Sequence, residues 1–146
     1  MLLTKECDYG VRIIRALADG TKKTVETMAA EEQIPQKYAY KIVSKLVQAG
    51  FITSTRGRTG GYVISKPLSE FTLIDIITAV DAHRYVNDCL RPGSACVFRD
   101  DPDNSCKVHV ELEQIQELVV AALRAKTMDE VLQIDSSTFK GASNVR

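Results

Sequence analysis

The sequence predicts a mainly α-helical protein with a small β wing: a winged helix-turn-helix domain followed by a long C-terminal dimerisation helix. Apolar residues recur at helical spacing along most of the chain, and two short strand-like runs flank a glycine-rich turn near its middle. A further apolar helical stripe follows the segments that complete such a domain. With 146 residues, 45% of them hydrophobic, the chain is long enough to bury one core.

These patterns divide the chain into four regions. We expect the winged helix-turn-helix domain over residues 1–82, a cysteine-bearing loop over 83–107, the dimerisation helix and a short terminal helix over 108–135, and a disordered polar tail over 136–146. No stretch approaches the roughly 18 apolar residues of a membrane span, and the charged first residues are unlike a secretory leader. We therefore expect a cytoplasmic protein without a membrane partner, whose four cysteines are thiols or metal ligands rather than disulfides.

Helical spacing and end signals predict the first two helices. Residues 4–19 form an amphipathic pattern that Gly20 ends, and Thr24 is a suitable N-cap for a short helix over residues 25–32. Gln33 occupies the position at which a helix-turn-helix commonly has glycine. A non-glycine residue costs about 1 kcal/mol there if the backbone is left-handed.

The third helix and the wing follow directly. Pro35 suits the start of a helix and Gly50 its end, and the apolar residues between them form one buried stripe, which leaves a polar face opposite. Two strand-like runs, residues 51–56 and 62–65, are joined by a turn whose glycines permit positive backbone angles.

The region from residue 35 to residue 66 is strongly basic, although the formal net charge of the chain is zero. It contains no Asp or Glu, and its basic residues are Lys37, Lys41, Lys45, Arg56, Arg58 and Lys66. A helix followed by an arginine-tipped wing, with a positive field around both, is suited to duplex DNA. The candidate DNA-binding residues are Gln36, Lys37, Tyr38, Tyr40, Lys41 and Ser44 on the helix, and Arg56 and Arg58 on the wing.

Two more amphipathic helices are predicted after the wing, over residues 72–82 and 108–126. The longer one carries a stripe formed by Val108, Leu112, Ile115, Val119, Ala122 and Leu123. Because little of the chain remains to cover this stripe, pairing with the same helix of a second subunit is expected. Thr127 and Glu130 have capping-box spacing and predict a short last helix.

The loop between these helices contains a C-x6-C-x9-C-x2-H pattern formed by Cys89, Cys96, Cys106 and His109. Three thiols and an imidazole can surround a soft metal centre, whereas the spacing is wider than that of a zinc knuckle. From the residues alone, an iron-sulfur cluster, zinc and plain reduced cysteines remain open. Cys7 lies on the apolar side of the first helix, where a buried thiol is expected.

Three motifs resemble the IscR/NsrR family of dimeric winged-helix regulators. They are the Tyr-x-x-Lys-Ile sequence that starts at Tyr38, the Ala49-Gly50 helix end and the Arg-Gly-x-x-Gly-Gly-Tyr wing that starts at Arg56. The similarity extends from about Leu3 to His109. It implies that Cys89, Cys96 and Cys106 hold an iron-sulfur cluster, although the gap between the last two is longer than is usual in that family.

The same resemblance supplies three candidates for the fourth ligand of the cluster. His109 matches the IscR-type histidine, which would suit a 2Fe-2S centre, and Asp8 matches the NsrR-type carboxylate contributed by the partner subunit, which would suit 4Fe-4S. Cys7 is a third candidate. On this resemblance Asp8 and a 4Fe-4S cluster are slightly favoured. The alternative role of Asp8 is an ion pair with Arg12.

Together these features predict a homodimeric transcriptional regulator, of repressor type, whose operator affinity depends on a cluster that senses nitric oxide, oxygen or redox state. One alternative is a thiol-redox or zinc-stabilised regulator without a cluster. Another is a winged-helix module that regulates an enzyme by protein contact. An enzyme is not expected, because the sequence contains no nucleophile-base pair, P-loop or dinucleotide-binding fingerprint.

Overall fold

The computed structural model describes residues 3–57, 60–81, 84–96, 98 and 106–134. In this part of the chain the elements are α1 (Lys5–Leu17), α2 (Val25–Glu31), α3 (Gln36–Gln48), β1 (Ile52–Thr55), β2 (Gly61–Ile64), α4 (Leu73–Val80), α5 (Lys107–Arg124) and α6 (Met128–Leu132). Two short 3-10 turns cover Leu68–Glu70 and Asp88–Leu90. The predicted fold class is confirmed, since the protein is mainly helical with one two-stranded antiparallel sheet among the described residues.

Side-chain caps begin the first two helices. The Thr4 hydroxyl accepts a hydrogen bond from the Cys7 backbone N-H at 3.4 Å, and the Thr24 hydroxyl accepts one from the Thr27 N-H at 3.3 Å. Each cap satisfies a donor that has no partner within its own helix. The helices that follow bury Ile13, Ile14, Leu17 and Met28 in the domain core.

The turn between α2 and α3 has the left-handed backbone that a helix-turn-helix requires. Gln33 has φ of 54°, and the N-H of Ile34 then donates to the Ala29 carbonyl at 2.9 Å. The Ile34 side chain is buried, which holds the turn against the core. Glutamine therefore adopts here a conformation that glycine adopts at no steric cost.

Gln33→Gly should raise the free energy of unfolding by roughly 0.5–1 kcal/mol, because it removes the steric cost of a side chain in the left-handed region. Urea denaturation followed by circular dichroism measures the change. The control is Gln48→Gly, at the exposed last residue of α3, where the backbone is helical and glycine should not raise stability. Lower stability of Gln33→Gly would contradict this account of the turn.

The wing is a hairpin in which Ile52 pairs with Ile64 and Thr55 pairs with Gly61. Its second strand also contacts the segment before α2: the Lys23 N-H donates to the Tyr62 carbonyl at 3.2 Å, and the Tyr62 N-H donates to the Lys23 carbonyl at 2.8 Å. A Cβ atom on Gly61 would lie 2.9 Å from the Lys23 carbonyl oxygen, so only glycine permits this approach. The bridge to Lys23 was not predicted, and it fixes the wing on the helical core.

Helix α4 closes the core beside α1. Ile76, Ile77 and Val80 are buried, and a Cβ on Gly10 of α1 would lie 2.8 Å from a methyl group of Val80. The two helices therefore pack closely at this glycine. The loop that carries the cysteines leaves the core at the end of α4.

Helices α5 and α6 complete the described chain. The Gln116 side chain fixes α5 to the preceding segment, since its amide N-H donates to the Arg84 carbonyl at 3.0 Å and its oxygen accepts from the Val86 N-H at 2.8 Å. The predicted Thr127 capping box is present at the start of α6, whose Met128 is fully buried. No described helix is both long and apolar enough to cross a bilayer. The predicted tail over residues 136–146 lies outside the described residues.

Much of the apolar surface of α5 faces solvent in the protomer. None of its residues is fully buried, Ile115 is 39% exposed and Leu118 is 71% exposed. Leu118 lies beside the predicted stripe and enlarges the exposed apolar face. Such a surface on one long helix is a typical contact for another protein chain.

Candidate nucleic-acid interface and cysteine loop

Helix α3 presents its polar face to solvent. Ala39, Ile42, Val43 and Leu46 are buried against the core. The opposite side, called the recognition face below, consists of Gln36, Lys37, Tyr38, Tyr40, Lys41 and Ser44, all of which are exposed as predicted. Arg56 is exposed at the end of β1, whereas Arg58 lies outside the described residues. Arg56 thus lies on the wing, and the recognition face belongs to an α-helix, the element that fits the DNA major groove.

Two lysines of α3 are paired with one carboxylate of α1. Lys41 donates to one oxygen of Glu6, and Lys45 donates to the other at 2.8 Å. Hydrogen bonds from Lys41 and then Lys45 lower the pKa of Glu6, and the hydrogen bond to Glu6 raises the pKa of Lys41. One cation of the recognition face is therefore already bound to an acid.

A second acid orients an aromatic residue of the same face. The Tyr40 hydroxyl donates to the Glu26 carboxylate of α2. This hydrogen bond lowers the pKa of Glu26 and raises the pKa of Tyr40, with the phenol as donor and the carboxylate as acceptor. The Tyr38 ring, by contrast, contacts the Tyr9 ring of α1 with centroids 5.9 Å apart. Both tyrosines are thus held by other helices while about half exposed.

Lys37 and Arg56 remain available to an external anion. Within the described part of the chain, neither forms an ion pair with an Asp or Glu. Lys66 instead lies over the Phe51 ring at 5.1 Å from its centroid. The cations of this region therefore differ in how readily they can bind phosphate.

The three loop cysteines are partly exposed thiols rather than disulfides. Cys89 lies in the 3-10 turn Asp88–Leu90, where its N-H donates to the Asn87 side chain at 3.1 Å. Cys96 follows in the loop, and Cys106 is the residue immediately before α5. In the described residues of the single protomer, no three Cys, His, Asp or Glu side chains converge with metal-binding geometry.

The candidates for a fourth ligand have different environments. His109, in the first turn of α5, is 13% exposed, and its Nε2 lies 3.2 Å from a Glu113 carboxylate oxygen. Its buried Nδ1 has no hydrogen-bond partner among the described residues. Asp8 is 51% exposed and lies 2.9 Å from the Arg12 guanidinium, the predicted alternative pair. Cys7 is buried, as predicted, and its sulfur accepts a hydrogen bond from the Thr4 hydroxyl.

A family model described as iron-dependent transcriptional regulators, Rrf2, matches residues 3–134. The chain belongs to the Rrf2 family. It is 27% identical over 136 residues to protein aau3 of Rhizobium meliloti, a match that covers 91% of this chain and 86% of the relative. Membership in a family of transcriptional regulators implies DNA binding, and the expectation that the chain is not an enzyme is confirmed.

Solved structures of Rrf2 regulators have the same fold. CymR of B. subtilis, named the global cysteine regulator of that organism, superposes with a TM-score of 0.70 at 23% identity over 91% of this chain and 97% of that one. IscR of T. potens superposes with a TM-score of 0.67 at 16% identity over 97% of this chain and 94% of that one. The resemblance inferred from the helix and wing motifs is therefore confirmed.

Sequence reasoning missed two residues that contact the recognition face, Glu6 and Glu26. Both are acidic residues of other helices whose carboxylates contact the recognition face. They lie 35 and 14 positions from their partners in the chain, and no local pattern relates such distant residues. Only the crossing of α1 and α2 against α3 brings them together.

Proposed function

We propose that this Rrf2 regulator is a homodimeric repressor whose operator affinity depends on an iron-sulfur cluster bound by Cys89, Cys96, Cys106 and His109. The observation that carries the proposal is the buried Nδ1 of His109, which has no hydrogen-bond partner in the described part of the chain. His109 lies one turn after Cys106, where the cysteine loop joins α5. A buried nitrogen without a partner is costly unless something binds it. A metal ion is a natural partner for a neutral imidazole nitrogen.

The donor types fit such a cluster. Thiolates are its usual ligands, and imidazole replaces thiolate in some 2Fe-2S centres. His109 Nε2 lies 3.2 Å from the Glu113 carboxylate, so its N-H can donate to Glu113 while Nδ1 binds a metal. A carboxylate in this position orients a ligating histidine and raises its basicity. Because the described donors do not converge in the protomer, the loop must close to bring the thiolates together. When bound, the cluster supplies a centre that reacts with oxygen, nitric oxide or redox partners.

The environment of His109 supports the imidazole over Asp8 as the fourth ligand. The Asp8 carboxylate is half exposed and already paired with Arg12, so ligation from the partner subunit would require that pair to open. No described group would have to leave His109 Nδ1 before that nitrogen binds a metal. The proposal therefore departs from the slight preference of the sequence for Asp8, and it favours a 2Fe-2S centre over 4Fe-4S.

Two of the proposed ligands lie at the start of α5, so the state of the cluster can affect how two subunits pair. Cys106 immediately precedes α5 and His109 lies in its first turn, so ligation restrains the start of the helix whose apolar face remains exposed. A two-fold dimer formed through α5 would carry two recognition faces, one from each subunit. Each face would enter a major groove, with Lys37 and Arg56 on phosphates and Gln36, Tyr40 and Ser44 near base edges. Loss of the cluster would release the loop and change the relative position of the two recognition faces.

Protein isolated without oxygen tests the ligand set through its visible spectrum and its iron and sulfide content. We expect a coloured wild-type protein, an Asp8→Ala variant with an unchanged spectrum, and a His109→Ala variant that loses or alters the absorption. The converse result for the two variants would assign Asp8. A colourless, iron-free wild-type protein would contradict cluster binding.

A cluster-free regulator is the second candidate, favoured by the similarity to CymR, which is named as a cysteine regulator. The partly exposed thiols of Cys89, Cys96 and Cys106 are open to oxidation in that case. The same isolation distinguishes the two candidates. Iron-free protein with oxidant-dependent DNA binding would support a thiol switch, and stoichiometric zinc would support a zinc-stabilised regulator.

A further inference from the structure

The carboxylate of Glu6 lies between two lysines of the recognition helix. Lys41 is 54% exposed and belongs to the recognition face, whereas Lys45 is 30% exposed and also donates to the Val80 carbonyl at the end of α4. Glu6 itself is only 23% exposed. The two lysines are one helical turn apart, and the acid is therefore held at the edge of a surface that should bind an anion.

The contacts give the two lysines different roles. Lys45 bonds to two acceptors of the protein, so its ammonium is directed toward α1 and α4 and fixes the position of Glu6. Lys41 has only the Glu6 carboxylate as an acceptor among the described residues, and more than half of its side chain remains in contact with solvent. A DNA phosphate that approaches the recognition face therefore competes with the Glu6 carboxylate for the Lys41 ammonium.

We propose that Glu6 is an internal competitor for DNA phosphate: its carboxylate occupies Lys41 in the DNA-free protein and is exchanged for a backbone phosphate when DNA binds. The inference rests on the proposed DNA-binding role of the recognition face. Phosphate contacts supply most of the affinity for non-specific DNA, so the exchange lowers binding to random sequence. Glu6 is thus a positioning residue that sets the electrostatic strength of the interface.

Fluorescence anisotropy with a labelled random-sequence duplex, titrated at several salt concentrations, tests the exchange. Glu6→Gln should bind roughly two- to five-fold more tightly at low salt, the effect of one exposed ion pair, and the gain should shrink as salt screens it. Glu6→Asp, whose shorter side chain holds Lys41 less well at unchanged net charge, should show part of the gain. Glu70→Gln, which removes an exposed acid from a 3-10 turn outside the recognition face, should bind as the wild type does.

The decisive comparison repeats Glu6→Gln in a Lys41→Met background, where the gain should disappear. An equal gain without Lys41 would overturn the proposal, because the effect would then come from net charge alone. No gain in the Lys41-containing protein would overturn it as well.

The variant Lys37→Met distinguishes failure of the competitor role from failure of the DNA interface. If Lys37→Met weakens binding while Glu6→Gln does not strengthen it, only the competitor role is wrong; if the wild type shows no salt-dependent binding, the interface itself is wrong. Thermal unfolding confirms that each variant is folded.

Discussion

Ile115→Glu should convert the protein to a monomer and weaken operator binding by roughly 100-fold or more. Ile115 lies within the exposed apolar face of α5, and a carboxylate buried between two such faces would lack a partner. A monomer presents one recognition face, so it loses the gain in affinity that arises when two linked sites bind one operator. Analytical ultracentrifugation measures the mass, and anisotropy with a duplex selected by the wild type from a random pool measures the affinity.

Val110→Glu is the matched control for this variant. Val110 is also an exposed apolar residue of α5, but it lies five positions from Ile115 and hence about 140° away around the helix axis. It should leave both mass and operator affinity close to those of the wild type. A dimeric Ile115→Glu protein with normal operator affinity would show that subunits associate through another surface.

Cys106→Ala should abolish the effect of air on operator affinity. We expect the wild-type affinity to change by roughly 5- to 150-fold between anaerobic and air-exposed protein, the usual range of coupling between two sites. Without Cys106 the cluster lacks the thiolate that immediately precedes α5, so the two preparations should bind alike. Anisotropy titrations of both preparations with the selected duplex measure the ratio.

Cys7→Ala is the control for general thiol chemistry. Its sulfur is buried in α1, away from solvent, so this variant should keep the response to air. If Cys7→Ala loses the response to air and Cys106→Ala keeps it, the thiol required for sensing is Cys7, and the proposed ligand set is wrong. A response that persists in both variants would show that sensing does not require Cys106, which would contradict the proposed ligand set.

Several features of this protein were predictable because neighbours in the chain determine them. The helices have apolar stripes of their own, and Thr24 and Thr127 begin helices within one turn of the groups they cap. The left-handed turn before α3 falls at the position at which a helix-turn-helix commonly has glycine, although Gln33 occupies it here. The observed helix and strand ends differ from the predicted ones by no more than about two residues, the usual uncertainty at fraying ends. The exposed recognition face follows in the same way, since burial of one side of α3 exposes the other.

The tertiary structure decided how those exposed residues are used. Glu6 and Glu26 reach Lys41 and Tyr40 only because α1 and α2 cross α3, and the wing is fixed by a bridge to Lys23 from an earlier segment. The sequence by itself determined the fold class, the recognition face and the cysteine positions, because periodicity and caps act over a few residues. The pairing of its charges and the burial of the His109 nitrogen depend on how distant helices pack, and no local pattern contains that information.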